Sequence, residues 1–142
     1  MRDLYSRVKN VLALAAASYA ADNTPVAIDL AGYNSAMLVL NIGVGGITFD
    51  STNKVEFKLT HSDDGTTYTA VEDADMQGVT GITSGIIKSL VAAHAAAATY
   101  KFGYIGGKRY LKLLADFSGT HGTATPLSAT MELSDPMMAP VA

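Results

Sequence analysis

The chain of 142 residues contains no cysteine, no tryptophan and only three histidines. Without cysteine it forms neither disulfides nor thiolate metal sites, so its stability depends on packing or on partners. The histidines, His61, His94 and His121, lie far apart, and none belongs to the paired pattern of a helical zinc site. We therefore predict no metal, no cofactor, and histidines that lie exposed in loops.

Charged residues are also scarce, at 16% of the chain. This share is low for a freely soluble monomer, so we expect part of the surface to be covered in an assembly. The net charge of −3 and the scattered basic residues do not favour polyanions, and we expect no nucleic-acid partner. The apolar run Val11–Ala17 is too short to span a bilayer, and Asp3 interrupts the basic start of a secretion signal. We expect no membrane partner.

Sequence motifs for catalysis are missing as well. The glycine-rich segment Gly43–Gly46 lacks the Gly-Lys-Ser/Thr ending of a phosphate-binding loop, and no GxSxG nucleophile elbow is present. The acidic residues between Asp63 and Asp75 lack the ligand order of an EF-hand, and no spacing selects two carboxylates for glycoside hydrolysis. We therefore predict that the protein is not an enzyme.

The clearest structural pattern is Tyr100–Phe117, in which two alternating stretches flank Gly106-Gly107. A Gly-Gly pair supplies the positive φ of a tight turn, so we predict an antiparallel hairpin with Phe102 opposite Leu111. In this register one face is apolar. The other face carries Lys101, Tyr110 and Lys112.

Further strand patterns are separated by turns. Lys54–Thr60 alternates apolar and polar residues, and Thr66–Val71 returns from a turn as a second hairpin. Ser35–Ile42 is typical of a central buried strand, and Leu127–Leu133 is the last strand. Ile86, Ile87, Leu90 and Val91 fit a helical turn or a strand, and the run Ala92–Ala98 favours helix by propensity alone. We expect the stretch to be a loop with at most one helical turn. About eight strands predict an all-β, single-domain antiparallel sandwich of jelly-roll type. Its expected core contains Val55, Phe57, Leu59, Phe102, Leu111 and Leu113.

The predicted organisation has three parts. Residues 1–21 are an N-terminal arm or edge segment, residues 22–135 form the sandwich, and residues 136–142 are a C-terminal tail. Val11–Tyr19 fits an edge strand as well as a docked arm, and the extended arm is the favoured interpretation. We expect Met1 to about Val11, with Met137–Ala142 as a second candidate, to be a peripheral arm that pairs with a neighbouring subunit by strand addition.

The basic, aromatic face of the predicted hairpin is a candidate contact surface. A protein interface suits it better than a phosphate or sugar site, because tyrosine and arginine are common interface anchors. In the predicted hairpin Lys101 lies opposite Lys112, and their like charges would repel each other unless both are solvated or meet acidic groups of a partner. Together with the terminal segments, this face gives the predicted partner-binding residues: Arg2, Tyr5, Arg7, Lys101, Arg109, Tyr110, Lys112, Met137 and Met138.

Several stretches, taken in order along the chain, resemble a family of small structural proteins encoded beside the major capsid gene in tailed bacteriophage and prophage genomes. They are MRDLYSRVKNV, ADNTPVAIDLAGYNSAMLVLNIG, FKLTHSDDGTTYTAVEDADMQG, YKFGYIGGKRYLKLLADFSG and the closing APVA. The run Ala92–Ala98 and the ending Asp135–Met138 depart from the family's pattern, which affects local partner contacts rather than the fold.

The resemblance implies a head decoration protein, also called capsid cement. We accordingly expect a structural virion protein, made in the host bacterial cytoplasm, that binds the capsid exterior and bridges major capsid protein subunits. It is expected to be a homo-oligomer. A trimer is favoured because a protein that binds where several capsid subunits meet repeats the same contact by symmetry and so stabilises the shell most. The alternative is a tail-associated or carbohydrate-binding sandwich that recognises a host surface, which needs a concave site lined by aromatic residues.

Overall fold

A computed structural model describes residues 3–138 of the chain. Within these residues the regular structure is almost entirely β, with two single 3-10 turns at Tyr5–Arg7 and Asp73–Asp75. The ten strands are β1 (Lys9–Tyr19), β2 (Ile28–Asp29), β3 (Tyr33–Ile42), β4 (Lys54–Ser62), β5 (Thr69–Ala70), β6 (Met76–Gln77), β7 (Ile86–Leu90), β8 (Ala98–Tyr104), β9 (Tyr110–Ser118) and β10 (Thr125–Pro136).

The strands form two antiparallel sheets that pack as one sandwich. Sheet A has the order β1-β10-β3-β8-β6, and sheet B has the order β2-β9-β4-β5 with β7 also paired to β4. Every strand except β5 lies in the other sheet from the strand before it. This alternation is the jelly-roll arrangement. The predicted all-β antiparallel sandwich is confirmed.

The core lies between the sheets and follows from the two-residue period of the strands. Leu38, Leu40 and Ile42 of β3 point inward from the centre of sheet A, and Phe57 of β4 points inward from sheet B. The six residues predicted to share the core are all buried: Val55, Phe57, Leu59, Phe102, Leu111 and Leu113.

The Tyr100–Phe117 stretch forms two strands, but these do not pair with each other. β8 pairs with β3 and β6 in sheet A, whereas β9 pairs with β4 and β2 in sheet B. The predicted hairpin is therefore wrong, and Gly106-Gly107 carries the chain from one sheet to the other. An alternating strand turns the same apolar side toward the core in either arrangement, so the pattern does not select between them.

The N-terminal segment is an integral edge strand over much of its length. β1 pairs with β10 of the same chain from Lys9 to Tyr19, with β-bulges near Leu12 and Leu14, and Ala13 and Leu14 are buried in the core. The favoured extended arm is therefore replaced by the edge strand over these residues. Burial of two apolar side chains in the chain's own core stabilises this placement.

Two further expectations are modified. Ile86–Leu90 fitted a helical turn or a strand and was expected to lie in a loop, but it is strand β7, because its apolar residues Ile87 and Leu90 fill the core beside β4. The second hairpin is confirmed with a shorter return: only Thr69 and Ala70 pair with β4. The alanine-rich segment before β8 is not helical.

Candidate partner-binding surfaces

One end of the sandwich holds a cleft beside the end of β10. The cleft has a volume of about 280 Å³ and lies between the segments 30–36 and 104–109, with Met137 at its rim. The Met137 N–H donates to the Gly32 carbonyl at 2.9 Å, which fixes the end of β10 beside this opening. We refer to the surface formed by Gly32, Ile105, Arg109 and Met137 as the cleft end.

The N-terminal turn lies beside the same end. Because Lys9 pairs with Leu133 in antiparallel fashion, the residues before Lys9 run alongside the last residues of β10. Tyr5 is 91% exposed and Met138 is 84% exposed. Large apolar side chains that remain this exposed are typical of a surface that a partner covers.

The predicted interface residues are thus partly brought together. Tyr5, Arg7, Arg109, Tyr110, Met137 and Met138 all lie near the cleft end. Lys101 and Lys112 do not belong to this group, because they lie on the outer faces of sheet A and sheet B respectively. The expected repulsion between these two lysines therefore does not arise. Arg2 lies outside the described residues.

Arg109 is already engaged within the chain. Its guanidinium donates two hydrogen bonds to the Asp29 carboxylate, at 2.8 and 2.7 Å, and it lies 4.9 Å from the centre of the Tyr110 ring. The guanidinium lowers the pKa of Asp29 to about 2. The pair is exposed, so it orients Arg109 without contributing much to stability. Arg109 is therefore held in a fixed position above an aromatic ring.

The outer face of sheet B is also internally paired. Glu56 lies directly opposite Asp116, and Lys58 donates to Asp116 and lies 3.8 Å from Glu56. This lysine offsets the repulsion between the two carboxylates, and the contact with Asp116 raises its pKa. Lys112 lies 4.2 Å above the Tyr68 ring. Most charges on this face therefore have partners in the same chain.

A buried polar cluster behind the cleft end was not predicted. Nδ1 of His61 lies 3.0 Å from the Tyr104 hydroxyl, and Nε2 lies 3.9 Å from an oxygen of Asp75. His61 is only 5% exposed, so its predicted position in an exposed loop is wrong. The alternation Val55, Phe57, Leu59 continues inward to His61 because β4 extends to Ser62, and this continuation was the available signal.

Hydrogen bonding and burial together set the protonation of the cluster. The Lys108 N–H donates to the Tyr104 oxygen at 3.0 Å, and the same hydroxyl shares a hydrogen bond with Nδ1 of His61, whose tautomer decides which of the two groups donates. Burial lowers the pKa of His61 and raises the pKa of Tyr104. The neutral forms of His61 and Tyr104 are therefore favoured, and their contact links β4 with β8 and the 104–109 turn.

The other two histidines are partly buried rather than fully exposed. Nε2 of His94 lies 3.2 Å from the Tyr100 hydroxyl, and Nε2 of His121 lies 2.9 Å from the Ser118 carbonyl oxygen. The His121 ring also packs edge-on against Phe117. Both side chains have structural contacts within the described part of the chain.

Residues 3–138 contain no group of three histidine, aspartate or glutamate side chains arranged to hold a metal ion. In the same part of the chain, no helix has the length and apolar character needed to cross a membrane. No protein-family model, curated protein or solved structure matches the chain.

Proposed function

We propose that this chain is a structural protein of a phage head that binds the outer capsid surface and bridges neighbouring major capsid protein subunits. The observation that carries the proposal is the convergence of both terminal segments at the cleft end. There Ile105 and Met137 remain exposed beside Arg109, which Asp29 holds in place, and Tyr5 and Met138 are exposed on the adjoining terminal segments. The sequence resemblance to capsid-adjacent proteins supports the same role.

The chemistry of this surface fits a broad protein contact. Its large exposed side chains are apolar or aromatic, and its arginine, Arg109, is held in one orientation by Asp29 before a partner binds. Tyrosine, methionine and arginine are enriched at protein interfaces. A shell filled with DNA is under outward pressure, and a clamp repeated by symmetry multiplies a modest contact into a firm hold.

The experiment compares phage heads with and without the protein. Heads lacking it are expected to assemble but to release DNA at a lower temperature than complete heads, and purified protein added back is expected to restore them. A Tyr5→Ser/Met138→Ser variant changes two exposed side chains of the cleft end and is expected to fold but not to restore the heads.

The matched control is Val44→Ser, which replaces an exposed apolar residue in the loop after β3, at the opposite end of the sandwich. This control is expected to restore the heads fully. The proposal is overturned if heads without the protein resist heat as well as complete heads do, or if the protein is found in a few copies at the tail. The latter result favours host-surface recognition. The trimer stays a prediction.

A further inference from the structure

The edges of the two sheets are protected to very different degrees. β6, β5 and β2 each have two residues, and β7 has five residues with Lys88 at its centre. Beyond β2, the side chains of Asp22 and Asn23 accept from the β9 N–H groups of Phe117 and Ala115, both at 2.7 Å. Short, charged or covered edges of this kind prevent pairing with other chains.

β1 is the exception among the edges of the described chain. It has 11 residues, and no charged residue and no proline occurs from Asn10 to Ala21. Within residues 3–138 it pairs only with β10, so its second edge presents backbone N–H and C=O groups to solvent. Within the described chain it is protected by its β-bulges and by the Tyr19 hydroxyl, which donates to the Ala15 carbonyl at 2.7 Å, and Leu12 remains exposed beside the bulges.

The surface next to this edge is apolar. A groove of about 210 Å³ runs between β1 and the following segment, and its lining includes Leu12, Leu14, Tyr19 and Val26. Leu12 and Val26 are both more than half exposed. A strand added to β1 therefore gains apolar contacts as well as backbone hydrogen bonds.

We propose that the β1 edge pairs with the β1 edge of a second copy of this chain, in antiparallel fashion about a two-fold axis. In such a pair the same strand edge of each copy contacts the other, and this isologous kind of interface is the one found in most soluble dimers. Because Asn10–Ala21 carries no charge, self-pairing places no like charges opposite each other. The remaining edges of the described chain are too short to match β1 along its length.

This inference goes beyond the proposed function and does not depend on it. A two-fold pair differs from the predicted trimer, which rested on the geometry of the capsid alone. In an antiparallel pair, the two cleft ends point in opposite directions. An 11-residue strand spans about 35 Å, so the dimer presents two separate contact surfaces, as a bridge between subunits requires.

The first test measures self-association directly. We expect sedimentation velocity over a range of concentrations to detect a reversible dimer of the full chain. In a pair centred on the uncharged stretch Asn10–Ala21, the two-fold axis passes beside Ala16, so Ala16→Lys at this exposed position brings two lysines close together in the dimer. This change is expected to weaken dimerisation by about tenfold or more. Ala95→Lys, at an exposed position in the loop before β8, is the matched control and is expected to leave dimerisation unchanged.

A second test remains informative if the lysine variant fails to fold. The chain has no cysteine, so one introduced cysteine is its only thiol. With a short bis-maleimide cross-linker, Ala16→Cys is expected to give covalent dimer at micromolar concentration and Ala95→Cys to give little. A chain that is monomeric at all concentrations, or equal cross-linking of both variants, overturns the proposal. If Ala16→Lys instead weakens only the binding of a monomer to heads, the edge binds another protein and self-pairing is wrong.

Discussion

Nδ1 of His61 and the hydroxyl oxygen of Tyr104 lie 3.0 Å apart and join the two sheets of the sandwich. His61 belongs to β4 in sheet B, and Tyr104 ends β8 in sheet A. The Lys108 N–H donates to the same hydroxyl, and the Ile105 N–H donates to the Asp75 carbonyl at 2.7 Å. The buried cluster therefore holds the turn that carries Ile105 and Arg109 at the cleft end.

Tyr104→Phe tests the energy of this link. The substitution keeps the ring but leaves Nδ1 of His61 and the Lys108 N–H without their partner, so we expect a loss of about 1–3 kcal/mol in the free energy of unfolding. Urea denaturation measures it. Tyr100→Phe is the control, since its hydroxyl bonds to His94 at a less buried site, and its loss is expected to be smaller. Equal losses for the two variants contradict the assigned role.

The stability of the fold is expected to fall as the pH is lowered from 8 to 5. Burial lowers the pKa of His61 below its ordinary value of 6.5, so the unfolded chain binds a proton at pH values where the folded chain does not. The stabilising effect is therefore complete above the unfolded pKa and is lost as the pH falls toward the folded pKa. His61→Gln is expected to flatten this part of the curve, measured by urea unfolding at each pH. An unchanged slope in the variant assigns the dependence to other groups.

Gly106→Ala tests the tight packing of the inter-sheet turn. A Cβ at Gly106 would lie 2.6 Å from Oδ1 of Asp75 and 2.8 Å from the Tyr104 ring. We expect a destabilisation of about 1–3 kcal/mol because these atoms are held by the buried cluster. At Gly122, by contrast, an added Cβ meets nothing within 4 Å, and Gly122→Ala is expected to be neutral or slightly stabilising. Thermal unfolding of both variants makes the comparison, and similar melting temperatures would show that the turn has room to adapt.

Removal of residues 1–8 is expected to leave the fold intact and to weaken assembly. The deletion stops before β1, so Ala13 and Leu14 keep their places in the core. It removes Tyr5 and Arg7 from the cleft end. Circular dichroism and a head-binding assay measure the two effects separately. Loss of folding with normal binding by the remaining folded fraction argues against a contact role for this segment.

The period of the strands was readable from the sequence, and their partners were not. Val55, Phe57 and Leu59 alternate clearly, and their burial follows directly from that alternation. The alternation around Phe102 and Leu111 is compatible with two strands that pair in one sheet. It is equally compatible with two strands that belong to different sheets and face each other across the core. Only the competition among all strands for partners decides between these arrangements, and that competition is not local in sequence.

Two other differences have specific causes. β7 is short and precedes an alanine-rich run, so its local composition favoured loop or helix although β4 provides it with a partner. The grouping of Tyr5 with Met137 at one end depends on the pairing of β1 with β10, which joins residues from opposite ends of the chain. The candidate interface was therefore predictable as a set of residue types, but not as a surface.

The most direct test of the proposed role counts this protein in purified virions. Quantitative mass spectrometry gives its ratio to the major capsid protein, and labelling of intact particles shows whether it lies on the head. The account predicts a number of copies comparable to that of the major capsid protein, distributed over the head surface. A handful of copies per particle, or labelling confined to the tail, would contradict it.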